Sequence, residues 1–177
     1  MRHTIIVGRP VTKGDACLTL NQKDMQKKIE SLKKTRNKLL ELVGDLSVAE
    51  MNEIPQGFVN NIAWNLGHVV AAQQGICYGR AGVPMHLPDG FFAAYKPDTK
   101  PEAFIGGEQI DNIKMLFDAL PNLFEQDYNG DIFSGYIPWV NRYNVELRNI
   151  DDAMNFVLFH EGLHLGYIMA LKRAIRR

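Results

Sequence analysis

Residues 149–177 read NIDDAMNFVLFHEGLHLGYIMALKRAIRR, and this stretch decides the fold. Asn149 suits a helix N-cap, because its side-chain oxygen can accept an orphan N–H of the first turn. Asp151 and Asp152 follow in that turn, while Lys172, Arg173, Arg176 and Arg177 sit at the far end. Both placements complement a helix macrodipole. In between, Ala153, Phe156, Val157, His160, Leu163, His164, Tyr167, Ile168 and Leu171 recur at helical spacing. They predict one long helix whose apolar stripe carries the two histidines on its centre line, facing a core.

Three more helices are needed to cover that stripe, and the chain supplies them. Residues 22–46 are rich in helix formers, with Met25, Ile29, Leu32, Arg36, Leu39 and Val43 on one face and lysines on the other. Ser47 and Glu50 make a capping-box pattern for a short turn that Pro55 and Gly57 end. A second long helix runs from about Asn60 to Arg80 and closes near Gly82. A third starts near Glu108, with Pro121 expected to kink or restart it before Gly130.

The connections are long. Residues 82–107 hold Pro84, Pro88, Pro97 and Pro101, with Phe91, Phe92, Tyr95 and Phe104 expected to pack on the body. Residues 131–148 read as an irregular, aromatic crossing, and residues 1–22 as a poorly structured extension with a weak strand signal at Thr4–Val7. No βαβ rhythm and no internal repeat is present, so the natural architecture is a four-helix bundle with long second and third connections.

Composition agrees. A chain of 177 residues and 20.0 kDa is the size of one domain. Apolar residues at 46% and charged residues at 23% exclude disorder. Formal net charge is zero, which argues against binding nucleic acid through bulk positive charge. The first forty residues nonetheless hold ten Lys and Arg against three Asp and Glu. That face reads as solvated, because no aromatic residues interleave to stack bases. Two cysteines, Cys17 and Cys77, make neither a disulfide framework nor a Cys-based zinc site, and a reducing cytoplasm is the simplest compartment. The N-terminus is a poor signal peptide. From Glu53 to Arg80 no charged residue intervenes, a length that suits a membrane span. Pro55, Asn60, Asn61, Asn65, His68, Gln73 and Gln74 would be costly in lipid, so a buried helix is expected instead.

His160 and His164 share a helix face and spell H-E-x-x-H with Glu161. Two imidazoles in a core need partners. A shared metal satisfies both, and the alternative is bonding to buried backbone or water. A third ligand does not lie downstream, where no His, Asp, Glu or Cys follows His164. His3 falls in the extension and His86 in a Pro-rich loop, which leaves His68, in the charge-free helix one turn after Trp64. Three histidines leave coordination positions open, the arrangement of a catalytic rather than a structural site. Zn²⁺, Ni²⁺ and Fe²⁺ all suit imidazole.

Asn60-Asn61-Ile62-Ala63-Trp64-Asn65-Leu66-Gly67-His68 and His160-Glu161-Gly162-Leu163-His164-Leu165-Gly166-Tyr167-Ile168 resemble the two motifs of the DinB/YfiT-like superfamily. The resemblance covers roughly residues 25–175. It implies an all-α, up-down-down-up type four-helix bundle with long connections over residues 23–177. It further implies a divalent metal on His68, His160 and His164, and a homodimer. It implies no DNA binding. Characterised members include S-transferases that use bacillithiol or mycothiol and a mycothiol-dependent isomerase, so a low-molecular-weight thiol and a small-molecule substrate are the implied partners. No thiol-binding residue is matched, and the substrate class rests on analogy.

Trp64, Asn65 and Tyr167 lie near the histidines in helical projection and are candidates to line a pocket; core packing explains Trp64 and Tyr167 equally well. Gln73 reads as a buried helix-to-helix bond, and Cys77 as inert packing. Glu161 points about 100° around the helix from His160. It is either a general base or, more simply, a supporting carboxylate. Three functions follow: a metal-dependent S-transferase, a metal-water hydrolase with Glu161 as base, or a non-enzymatic, stress-related scaffold with structural histidines.

Overall fold

The computed structural model describes residues 20–176. The strand signal at Thr4–Val7, His3 and Cys17 lie outside them. Helix α1 (Leu20–Val43) begins slightly before the expected residue, and its buried residues are the six of the predicted face, Arg36 included. Ser47 caps the short α2 (Val48–Asn52) in a capping box with Glu50. Asn61 caps α3 (Ile62–Gln74), its side chain accepting from the Trp64 N–H. Every residue of α3 is buried, which is why this stretch carries no charge. The helix does not stop there. It passes through a π turn, Gly75–Gly79, before ending near Gly82.

The following connection is less irregular than its prolines suggest, because it contains α4 (Phe91–Tyr95). Tyr95 is buried and Phe91 and Phe92 pack on the core, but Phe104 is 65% exposed, against expectation. It sits in a segment without helix or strand whose next residue, Ile105, is the one buried in the core. Residues 131–148 include a small antiparallel pair, β1 (Trp139–Val140) with β2 (Glu146–Leu147), in which Trp139 faces Leu147. Helix α6 (Ile150–Ile175) starts at the predicted N-cap, with the Asn149 side chain accepting from the Asp152 N–H.

Pro121 does not restart α5 (Gly107–Asn129), which runs through it as one helix. A proline there leaves the carbonyl four residues earlier, that of Phe117, without its helical donor. Arg36 Nη1 approaches that carbonyl at 3.5 Å from α1 and supplies a replacement.

Helices α1 and α3 each take α5 and α6 as their main partners. Of the chain-consecutive long helices, α3 and α5 pack together, whereas α1 with α3 and α5 with α6 are not among the main pairs of the described residues. The core falls into two apolar clusters. One gathers Leu39, Val70, Phe117 and Ile168, the other Met25, Leu32, Phe124 and Met154. Arg36 sits on α1 between Leu32 of the second and Leu39 of the first. Among the described residues, no helix is long and apolar enough to cross a membrane.

Candidate metal centre

His68 is held by what its neighbours on α3 leave out. Gly67 has no side chain, and a Cβ there would fall 2.4 Å from the Tyr95 ring. A Cβ on Gly75 would fall 2.7 Å from Phe92. Those gaps let α4 lie close against α3, so that the Tyr95 carbonyl comes within 2.8 Å of His68 Nδ1. A carbonyl only accepts, so Nδ1 carries the proton and Nε2 keeps its lone pair. The Trp64 ring stacks on the imidazole at 4.8 Å and fixes its plane.

His164 is oriented in the same way from α3. Asn65, wholly buried, gives its Nδ2 to the Asn61 carbonyl at 2.7 Å, which turns Oδ1 toward His164. His164 Nδ1 donates to that oxygen at 2.8 Å, and its Nε2 is left free. Among the described residues no protein group hydrogen-bonds the ring of His160. Its ring centroid lies 4.5 Å from that of His164 and 5.2 Å from that of His68.

One ring nitrogen from each histidine lies within 4.8 Å of the others. Small side-chain rotations bring such a set to the metal–nitrogen distance of about 2.0–2.1 Å. Burial pushes all three pKa values down. Desolvation, followed by repulsion from His164 and His68, takes His160 to about 3, and desolvation and His68 take His164 to about 4. Three neutral imidazoles, two with the distal nitrogen already engaged, are a donor set that fits a borderline divalent cation.

The histidines open onto a cavity of about 580 Å³. Trp64, Trp139, Tyr143 and Phe156 give it aromatic walls, and Arg80, Asn141 and Arg142 give it polar ones. Trp64 is thus part of the wall. Asn65 acts behind the wall, through His164. Tyr167 is not on the wall; it packs edge-on against Phe58 at 5.5 Å.

Glu161, not the histidine pair, marks the buried centre line of α6. Ala153, Met154, Val157, Glu161, Ile168 and Leu171 are the buried residues of that helix, while Leu163 is 44% exposed. His160 and His164 lie on the flank of that line and reach the cavity from it. The carboxylate is therefore turned away from the histidine cavity. Glu161 Oε1 accepts from Arg36 Nη2 at 2.7 Å and from Arg36 Nε at 3.0 Å. Arg36 Nη2 also donates to Gln73 Oε1 at 3.0 Å. Arg36 from α1 thereby touches α3, α5 and α6 at one level. Spacing alone marks Arg36 as buried; its partners are visible only in three dimensions.

The remaining chemistry-bearing residues lie elsewhere. Cys77 is fully buried, and burial pushes its thiol well above the ordinary range. His86 Nε2 meets Asp127 Oδ2 at 2.8 Å, and the Tyr78 hydroxyl donates to the same oxygen at 2.7 Å. The sequence reading passed over Arg80, Trp139, Asn141, Arg142 and Tyr143, because the loop that brings most of them to the cavity has no periodic signal.

The family model described as DinB superfamily matches residues 31–168. That span takes in Arg36, Asn65, all three histidines and both arginines of the cavity. No curated protein matches the chain.

Proposed function

The chain belongs to the DinB superfamily, and from this premise we propose that it is a divalent-metal-dependent enzyme that joins a low-molecular-weight thiol, of the bacillithiol or mycothiol kind, to a small electrophile. The observation that carries the reading is the convergence of three neutral imidazoles on a cavity wall. When bound to them, Zn²⁺, Ni²⁺ or Fe²⁺ would supply the Lewis acidity that favours loss of a thiol proton.

The chain's own residues do the positioning. The Tyr95 carbonyl and Asn65 Oδ1 hold His68 and His164 in the tautomer that presents Nε2. Trp139, Tyr143 and Phe156 offer an apolar surface to the body of the electrophile. The sulfur–carbon bond forms as the bond to the leaving group breaks, and the thiol proton passes to solvent.

Placement of the carboxylates favours thiol transfer over hydrolysis. Glu161 is engaged by Arg36 inside the core. Among the described residues, the acid on the cavity wall is Asp98, which lies 3.6 Å from Arg142 at the surface. The general base that a hydrolase reading assigns to Glu161 is thus wanting on the cavity wall. Elemental analysis of the purified protein tests the metal, with one divalent ion per chain expected and loss of it in His68→Ala and His160→Ala. Conjugation of a cysteine-derived thiol to an alkyl halide or epoxide tests the reaction, with metal-dependent turnover expected. Full metal occupancy in His68→Ala, or a rate indifferent to metal, refutes the reading.

A further inference from the structure

The π turn Gly75–Gly79 changes which residues of α3 share a face. In an unbroken α-helix the twelve residues from His68 to Arg80 turn through about 1200°, leaving Arg80 about 120° off the histidine face. A π turn absorbs one extra residue. Arg80 then takes the angular place of an eleventh residue, about 20° from His68. Trp64, His68, Ala72, Ile76 and Arg80 accordingly line the same cavity. Helix rise over those eleven places puts about 16–17 Å between the His68 and Arg80 Cα atoms. The lean of side chains toward the helix N-terminus carries the guanidinium back along that wall.

Arg80 is held rather than loose. Its guanidinium carbon lies 4.2 Å from the centre of the Trp139 ring, and its carbonyl accepts from the Ile137 N–H at 2.9 Å. Among the described residues no carboxylate pairs with it. A guanidinium held over an aromatic ring keeps its N–H donors around its own planar edge, where they match a carboxylate or phosphate bidentately. Arg142 lines the same cavity, and its contact with Asp98 joins side chains 59% and 89% exposed, so it is screened by water and easily exchanged. Asn141 adds an amide. Its oxygen accepts from the N–H groups of Tyr143 and Val145, and its Nδ2 has no partner.

We propose that the cavity takes a substrate with an anionic end, a carboxylate or a phosphate, which Arg80 receives on Trp139 with Arg142 beside it. The rest of the molecule runs along α3 toward the histidines, its apolar body against Phe156 and Tyr143. The proposal rests on reading the cavity as the active site, but its test needs no turnover.

Titration calorimetry with phenylpropionate, its neutral amide and phenylpropyl phosphate, on the full chain both chelated and zinc-loaded, decides it. The acid is expected to bind about tenfold more tightly than the amide in both forms, because a charge-assisted bond to arginine is much stronger than a neutral one. The tighter of the acid and the phosphate names the anion. Arg80→Met is expected to erase the preference with the melting temperature kept. Arg80→Lys, which preserves the charge without the fork, keeps part of it and serves if the methionine variant fails to fold. Equal binding of acid and amide overturns the proposal. So does a preference that survives Arg80→Met, or one that exists only with zinc, since the anion then sits at the histidines. A preference retained in a protein that binds no zinc upholds the anion site and refutes the metal reading alone.

Discussion

Arg36→Met tests the centre of the molecule. Arg36 and Glu161 are each 1% exposed, and their charges are about as remote from water as this chain allows. Removing the guanidinium strands three groups at once: the Glu161 carboxylate, Gln73 Oε1, and the Phe117 carbonyl that Pro121 deprives of its helical donor. Breaking a buried pair from one side costs about 3–5 kcal/mol. In a chain of this size each kcal/mol moves the melting temperature by about 2–4 °C, so the expected fall is roughly 6–20 °C. Methionine fills much of the arginine's volume, which makes a cavity a minor part of the loss.

Charge and packing are separated by the partner variant. Replacing both residues, Arg36→Met with Glu161→Leu, removes the buried charges together, and the double variant is expected to be more stable than Arg36→Met alone while staying below the parent, because Gln73 Oε1 and the Phe117 carbonyl still lack the guanidinium. The acid dependence has a definite sign. Burial already raises the Glu161 pKa, with Arg36 pulling the other way, and without Arg36 it rises further. A carboxyl whose folded pKa lies above its unfolded value favours the folded state most when protonated. The Arg36→Met penalty is therefore largest at neutral pH and shrinks as pH falls toward 4. Urea denaturation of parent, single and double variants across pH 4–8 measures all of this. A single variant within about 1 kcal/mol of the parent, or a double variant as unstable as the sum of the two singles, refutes the argument.

Asn65→Ala removes the acceptor that sets the His164 tautomer and is expected to weaken zinc binding about 10–100-fold, read by competition with a chelator, with little change in secondary structure. Gly67→Ala forces a methyl into the Tyr95 ring and is expected to cost about 1–3 kcal/mol and to loosen zinc as well, because the Tyr95 carbonyl moves away from His68; unchanged melting and affinity would refute the close-approach reading. In the chelated protein, His160 and His164 titrate near 3 and 4, far below their unfolded value, so the unfolded chain binds protons that the folded chain refuses. Their contribution to stability is complete above about pH 7 and is lost as pH falls through about 6 toward 4; denaturation at each pH should show that slope, and its absence would place the imidazoles in water.

The long helices were legible because their signals are periodic. Six buried positions on α1 at helical spacing, an N-cap at Asn149 and a charge-free α3 each reflect a face or a whole helix removed from water. Those rules also brought His68, His160 and His164 together. They failed where a specific contact overrides an average preference. Pro121 is tolerated because an arginine from another helix serves the carbonyl it leaves bare. The stripe on α6 was centred on the histidines because the sequence rule scores glutamate as polar. An arginine 125 residues away makes Glu161 the most buried charge on that helix. The π turn leaves no composition signal that distinguishes it from an ordinary helical turn, and the arginine it reorients was invisible for that reason.

Both helices that carry the histidines are gripped by the same guanidinium. Gln73 stands five residues after His68 on α3, and Glu161 stands between His160 and His164 on α6. Apolar faces drive these helices together, but the hydrophobic effect is non-directional and sets their axial register only loosely. Hydrogen bonds from one rigid fork set it to a few tenths of an ångström. A metal–nitrogen bond demands that order of placement. The buried pair therefore does more for the site than its modest net stability suggests. A core repacked with apolar residues at these positions holds the helices together without fixing how far His68 on one stands from His160 and His164 on the other.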